Sequence, residues 1–239
     1  METIVLIHGA WSDATAWVLV APILKAKGYE VIAINLPGHG EDKTSFADIS
    51  MKSYLAATKD AIGARKNIIL VGHSMAGQIL SQIGEDIPHQ IKKLVYLAAC
   101  LPKDGESLID LAKADVDGHT AKYLEVDAEK HAAIIKKDGV VELFFQDTPK
   151  DILEGILANW KTEPLAPLSA PVSLTDANYG SVKKAYIQTV NDYAISLVLQ
   201  QKMIKAAPNI EQTFVLNSSH TPYFSMPEQL AEYILEAAK

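Results

Sequence analysis

Three side chains far apart in the chain have the types and the order needed for acyl transfer: Ser74, Asp192 and His220. Ser74 lies in "NIILVGHSMAG", residues 67–77, where an apolar strand-like run meets Gly-His-Ser and a helical pattern starts at once. A serine hydroxyl is a weak nucleophile at neutral pH and needs a base in reach and donors for the oxyanion it creates. A sharp strand-to-helix turn would lift it out of a sheet, and such a turn needs small neighbours two places away on either side. Those are Gly72 and Ala76, so the pattern reads G-H-S-M-A, with Gly77 one place later than the second glycine of G-x-S-x-G. The same turn sets the Met75 N–H at a helix N-terminus, where it would face a developing negative charge. The alternative is that Ser74 only caps the helix over 75–86.

A second donor is expected where "LIHGAW" ends the first strand, from the backbone N–H of Ala10, with Trp11 as the neighbouring alternative. His220, in "VLNSSHTPYF", follows the last strand, the end at which an open α/β sheet presents its ligands. The partner acid belongs on the loop after the preceding strand, where "YIQTVNDYAI" offers Asp192; the competitor, Asp176 in "SLTDAN", precedes that strand. His8 and His39 read as structural, His73 as packing or bonding locally beside Ser74, and His89, His119 and His131 as exposed. No histidine–carboxylate or HxxxH spacing suits a metal, so neither metal nor cofactor is expected.

Short apolar runs at 3–9, 29–37, 67–73, 91–100, 183–190 and 210–217 must position these groups. Most are continuous in Val, Ile and Leu, the mark of strands buried on both faces, hence of a parallel sheet covered by helices. Helical patterns fit over 16–27, with Pro22 awkwardly inside, and over 51–62, 75–86, 194–206 and 226–238. The last opens with Ser225 and Glu228 at capping-box spacing. The interval 102–185 breaks the alternation; helix-like pieces near 107–113, 127–137 and 149–160 and a Pro-rich stretch suggest a helical cap inserted before the penultimate strand. The expected organisation is a single α/β domain over 1–239, with core 1–101 and 186–239 and cap 102–185. Trp11, Phe144, Phe145, Leu157 and Trp160 are candidates for an apolar substrate pocket; alternatively they only pack the cap onto the sheet.

With 239 residues, 49% of them hydrophobic, the chain can fill one sizeable core. A net charge of −7 without a Lys/Arg cluster argues against nucleic acid or an anionic membrane as partner. The apolar run in "METIVLIHG" is too short for a signal peptide or a membrane span, and the single cysteine, Cys100, reads as a buried thiol. A cytoplasmic location is the expectation.

Taken together, "VLIHGAW", "LPGHG", "LVGHSMAG", "LVYLAACLPKDGES", "SLTD", "AYIQTVND" and "SSHTPYFSMPEQLAEYIL" resemble the α/β-hydrolase superfamily. More narrowly, the chain resembles the branch of plant methyl-ester esterases, hydroxynitrile lyases and small bacterial esterases. The match runs nearly end to end and is weakest across 106–160. It implies an α/β-hydrolase fold with a mostly parallel sheet of about six strands, lacking two extra N-terminal strands of larger relatives. It implies Ser74 as nucleophile, His220 as base and then acid, Asp192 as orienter, and Ala10 and Met75 as oxyanion donors. A small-molecule ester is the implied substrate, and a homodimer is suggested. Lyases of this branch typically carry Thr where this chain has Ala10 and Lys where it has Thr221, so cyanohydrin cleavage is not expected. Haloalkane dehalogenases and epoxide hydrolases of this fold need an aspartate nucleophile where Ser74 stands.

Overall fold

The apolar runs become the strands of one sheet in the computed structural model, which describes residues 2–239. Its strands are β1 (Thr3–Ile7), β2 (Glu30–Ile34), β3 (Ile68–His73), β4 (Ile91–Leu97), β8 (Lys184–Thr189) and β9 (Ile210–Leu216), in the order β2-β1-β3-β4-β8-β9. Every pairing in it is parallel. Alternate side chains go to opposite faces, as the two-residue period requires. From β1, Val5 and Ile7 enter one core with Leu70, Tyr96 and Tyr186; Ile4 and Leu6 enter the other with Ile69, Val71 and Val95. The outer strands β2 and β9 are half exposed, so the expectation of burial on both faces fails there.

Helices α1 (Val20–Ala26) and α11 (Pro227–Ala237) cover the second of these faces; α2 (Met51–Ile62), α3 (Ala76–Asp86) and α9 (Leu197–Ala206) cover the first. The helix expected over 16–27 is instead a 3-10 turn, Ala14–Trp17, followed by α1. Pro22 falls at the third position of α1, where a missing N–H costs no helical hydrogen bond. The Ser225–Glu228 capping box does not form. Ser225 instead ends a separate short helix, α10 (Pro222–Ser225), its hydroxyl has no partner, and Met226 caps α11 ahead of Pro227.

Between β4 and β8 lie α4 (Leu108–Ala114), α5 (Thr120–Tyr123), α6 (Lys137–Phe144), α7 (Lys150–Ala158) and α8 (Leu165–Ser169). The insertion is not purely helical. β5 (Leu124–Asp127), β6 (Ala132–Ile135) and β7 (Glu163–Pro164) form a three-stranded antiparallel sheet where 127–137 had suggested helix. The reversal is local chemistry: Asp127 accepts from the backbone N–H and the ammonium of Lys130, and His131 turns at φ 52°. The four-residue run Ala132–Ile135 is too short for periodicity to separate strand from helix. No described helix is long and apolar enough to cross a membrane.

Candidate active site

The turn after β3 carries Ser74 at φ 55°, a left-handed conformation that a serine tolerates only when its surroundings enforce it. Backbone bonds supply that enforcement. The Ser74 N–H donates to the Leu97 carbonyl at 3.2 Å, and the Ser74 carbonyl accepts from Cys100 at 3.0 Å and Gly77 at 3.1 Å. Gly77 is where the small residue is indispensable, because a Cβ there would stand 1.8 Å from the Cys100 carbonyl oxygen. A Cβ on Gly72 would meet Leu80 at 2.4 Å and Ala76 at 3.1 Å. The Ser74 hydroxyl does not cap α3: Met75 occupies the N-cap position, and no side chain bonds there.

His220 follows β9 and is buried. Its Nδ1 meets Asp192 Oδ2 at 2.7 Å, while its buried Nε2 has no partner among the described residues and its ring borders the cavity that Ser74 also borders. Asp192, on the turn after β8, accepts from the backbone N–H groups of Ala194 and Ile195 at 2.8 Å each and from Thr189 Oγ1 at 2.8 Å. Gln200 of α9 donates to the same carboxylate at 3.4 Å and to the Thr189 and Ile195 carbonyls, tying the acid's loop to the helix behind it. Asp176 is exposed and borders a different cavity, of about 280 Å³, that contains none of these groups.

His73 does more than pack locally. Its Nε2 donates to the His220 carbonyl at 2.9 Å, and its ring lies 4.5 Å from the His220 ring. Burial, and then the neighbouring His220, hold its pKa well below the ordinary value, so it stays neutral. The loop of His220 is also gripped by the insertion. The Ser219 and Thr221 hydroxyls both donate to the Phe144 carbonyl, at 3.1 and 2.6 Å, and Asp147 accepts the Ser219 N–H at 2.8 Å.

The loop after β1 approaches the Ser74 turn closely: a Cβ on Gly9 would be 2.9 Å from Ser74 Cβ. Among the described residues, neither the Ala10 nor the Met75 backbone N–H finds an acceptor. The Trp11 N–H is already committed to Glu163 Oε2 at 2.8 Å, which removes it as a free donor. Burial, with help from the nearby His39, lowers the His8 pKa to about 3. Its Nε2 accepts from the Leu36 N–H, and its Nδ1 donates to the Gly9 carbonyl.

A cavity of about 540 Å³ opens above Ser74, walled by Trp11, Phe144, Phe145 and Trp160 and fringed by Asp13 and Lys161. Phe144 packs against Trp11, Trp160 and His220 with ring centroids 5.6–5.8 Å apart. Leu157, expected in the pocket, is 40% exposed and does not line this cavity, whereas its neighbour Ile156 does. Ser74 also borders an apolar recess of about 50 Å³, lined by Cys100, Leu111, Ile195 and Leu199. Burial pushes the Cys100 thiol up to about 12, so it is no nucleophile. Among the described residues no three His, Cys, Asp or Glu side chains gather as a metal would require. His119 is half-buried rather than exposed, with its ring on Glu142 at 2.8 Å; His89 and His131 are exposed.

Sequence reasoning missed Glu163, Gln200, Thr189 and Asp147. Glu163 and Asp147 bond Trp11 and Ser219, 152 and 72 residues away, while Thr189 and Gln200 reach Asp192 from 3 and 8 residues away at a spacing that marks no motif.

Known proteins place this geometry in a family. A curated relative, "Putative methylesterase 11, chloroplastic" of Arabidopsis thaliana, is 32% identical across 98% of this chain, which spans 63% of that relative's own length. The pyrethroid hydrolase of Sphingobium wenxiniae is 29% identical over 98% of this chain and 87% of its own. The crystal structure of a pyrethroid hydrolase from Sphingobium faniae JZ-2 superimposes with a TM-score of 0.86 at 26% identity, covering 100% of this chain and 98% of that one. The model of the alpha/beta hydrolase family matches residues 4–233, and the chain belongs to that family.

Proposed function

We propose that this chain hydrolyses small carboxylic esters through an acyl-serine intermediate. The observation that carries the reading is the His220–Asp192 bond of 2.7 Å beside a buried, unpartnered His220 Nε2 in the cavity that Ser74 borders. In this mechanism His220 Nε2 takes the Ser74 hydroxyl proton as Oγ bonds to the ester carbonyl carbon. The carbonyl electron pair moves to oxygen, where the Ala10 and Met75 N–H groups receive it. The oxyanion collapses, the C–O bond to the alkoxy group breaks, and the alcohol leaves with the proton from His220. Water then repeats the sequence, losing its proton to His220 and releasing the carboxylic acid and free Ser74. Asp192 holds the Nδ1–H tautomer and stabilises the imidazolium.

The two spaces beside Ser74 suit an ester with a bulky apolar group on one side of the carbonyl and a small one on the other. That accords with the names of two relatives, a methylesterase and a pyrethroid hydrolase. Thr221, where lyases of this branch carry Lys, spends its hydroxyl on the Phe144 carbonyl, which disfavours the lyase alternative. The test is hydrolysis of p-nitrophenyl butyrate, with a panel of methyl and benzyl esters, by wild type and Ser74→Ala, both checked by circular dichroism. The reading expects turnover by the wild type alone. Equal rates in a folded Ser74→Ala would overturn it. Light scattering of the same samples tests the homodimer that the resemblance suggests.

A further inference from the structure

Glu163 is fully buried, yet it comes from the insertion and not from the sheet that carries the triad. Its Oε2 accepts the Trp11 N–H at 2.8 Å and meets His39 Nε2 at 2.9 Å; its Oε1 accepts the Tyr54 hydroxyl at 3.0 Å. The other ring nitrogen of His39 faces the Pro37 carbonyl at 3.1 Å. Both nitrogens therefore point at acceptors, which calls for a proton on each and makes the pair ionic. Burial alone would lower the His39 pKa, but the Glu163 carboxylate outweighs it and holds the pKa above its ordinary value.

The second grip is on the same residue. Trp11 Nε1 donates to the Ala133 carbonyl at 3.0 Å, and Ala133 is the register partner of Glu163 across the β6–β7 pair. The small sheet of the insertion thus holds Trp11 by its amide and its ring together. Trp11 has φ 58°, a conformation that a tryptophan does not adopt unaided. It adjoins Ala10, whose N–H is left without an acceptor beside Ser74.

We infer that Glu163 is a positioning residue for the reaction: by fixing the Trp11 amide it aims the Ala10 N–H at the oxyanion, so the insertion sets the oxyanion hole as well as the pocket. This rests on the esterase reading above. Two consequences separate it from a merely structural ion pair. An aimed donor acts on the transition state, so its loss lowers kcat and leaves KM nearly unchanged. Tetrahedral adducts should weaken in step.

The experiment compares wild type, Ser74→Ala, Glu163→Leu, Glu163→Asp and Glu163→Gln on p-nitrophenyl butyrate, with a trifluoromethyl ketone as the tetrahedral-adduct probe. Leu removes the acceptor, Asp keeps the charge but withdraws it from Trp11, and Gln keeps an oxygen for the Trp11 N–H. For Leu and Asp, kcat is expected to fall on the order of 100-fold, the cost of displacing a reacting group by about 1 Å. KM should stay within about twofold, with ketone affinity falling as kcat/KM does. Gln is expected to recover kcat to within about tenfold of wild type. If Leu does not fold, Asp carries the test. A folded Leu or Asp variant with wild-type kcat, or with a loss in KM alone and unaltered ketone affinity, overturns the inference while Ser74-dependent activity stands. A wild type inert to both ester and ketone overturns the esterase reading, and this inference with it.

Discussion

At Ser74 the backbone is the instrument. Its left-handed φ is locked by three backbone hydrogen bonds to Leu97, Gly77 and Cys100, which draw the end of β4 against the start of α3. That is why the second small residue of the motif can move one place along: the tightest contact falls on Gly77, and Ala76 needs only to clear Gly72. Gly77→Ala should therefore cost more than about 3 kcal/mol of stability, read from the urea midpoint, because its Cβ would collide with backbone and not with a flexible side chain. At Asp192 the prediction is chemical. Asp192→Asn keeps the shape but turns the wrong tautomer of His220 toward Ser74, so kcat should fall by on the order of 10³–10⁴ with a native circular dichroism spectrum. Asp176→Asn, on an exposed side chain, should leave kcat unchanged.

The elements divide the work. Strand ends of the main sheet carry Ser74, Asp192 and His220, while the insertion supplies the aromatic roof and the bonds that hold the loops around them. Trp160 belongs to the roof, packing on Phe144 and Phe145 with ring centroids 5.7 and 5.9 Å away. Trp160→Ala should raise KM for a benzyl ester about tenfold, roughly 1.4 kcal/mol of lost apolar contact, with little change for an acetate ester. Equal changes for both esters would mean that the side chain only packs the insertion in place. This division also explains what was legible in the sequence. Ser74, Asp192 and His220 each follow a short apolar run, so local pattern and chain order suffice to point at them. The hairpin over 124–135 was not legible, because four apolar residues fit either period and pairing with Glu163–Pro164 is a tertiary event. Glu163 sits in a Pro-rich stretch of the insertion that carries no periodic pattern, and its partners Trp11, His39 and Tyr54 lie 109–152 residues away. Leu157 and Ile156 differ by one residue, a rotation about α7 that periodicity alone did not resolve.

At the scale of the whole molecule, two buried histidines contribute to the pH dependence of stability with opposite signs. His8 is neutral when folded, with a pKa of about 3 against 6.5 unfolded. Between those values the unfolded chain binds the proton and the folded one does not, so stability falls as pH drops through that window. His39 has the opposite sign, since its folded pKa lies above the ordinary value. Its contribution is complete below pH 6.5 and is lost as pH rises through the folded pKa. By themselves these two contributions narrow the range of highest stability from both sides. Urea titrations should show His8→Gln losing less stability than wild type between about pH 6 and 4. His39→Gln should lose less than wild type on the alkaline side. Parallel pH curves for variant and wild type would contradict the assignment of these protonation states.

Whether Ser74 is a nucleophile activated by His220 can be read by labelling with a fluorophosphonate and locating the adduct by peptide mass spectrometry. The probe needs an activated serine but little fit to the pocket. One adduct per chain is expected, on Ser74, formed rapidly in the wild type and far more slowly in folded His220→Ala. An adduct on another residue, or a Ser74 adduct formed at the same rate without His220, would contradict it.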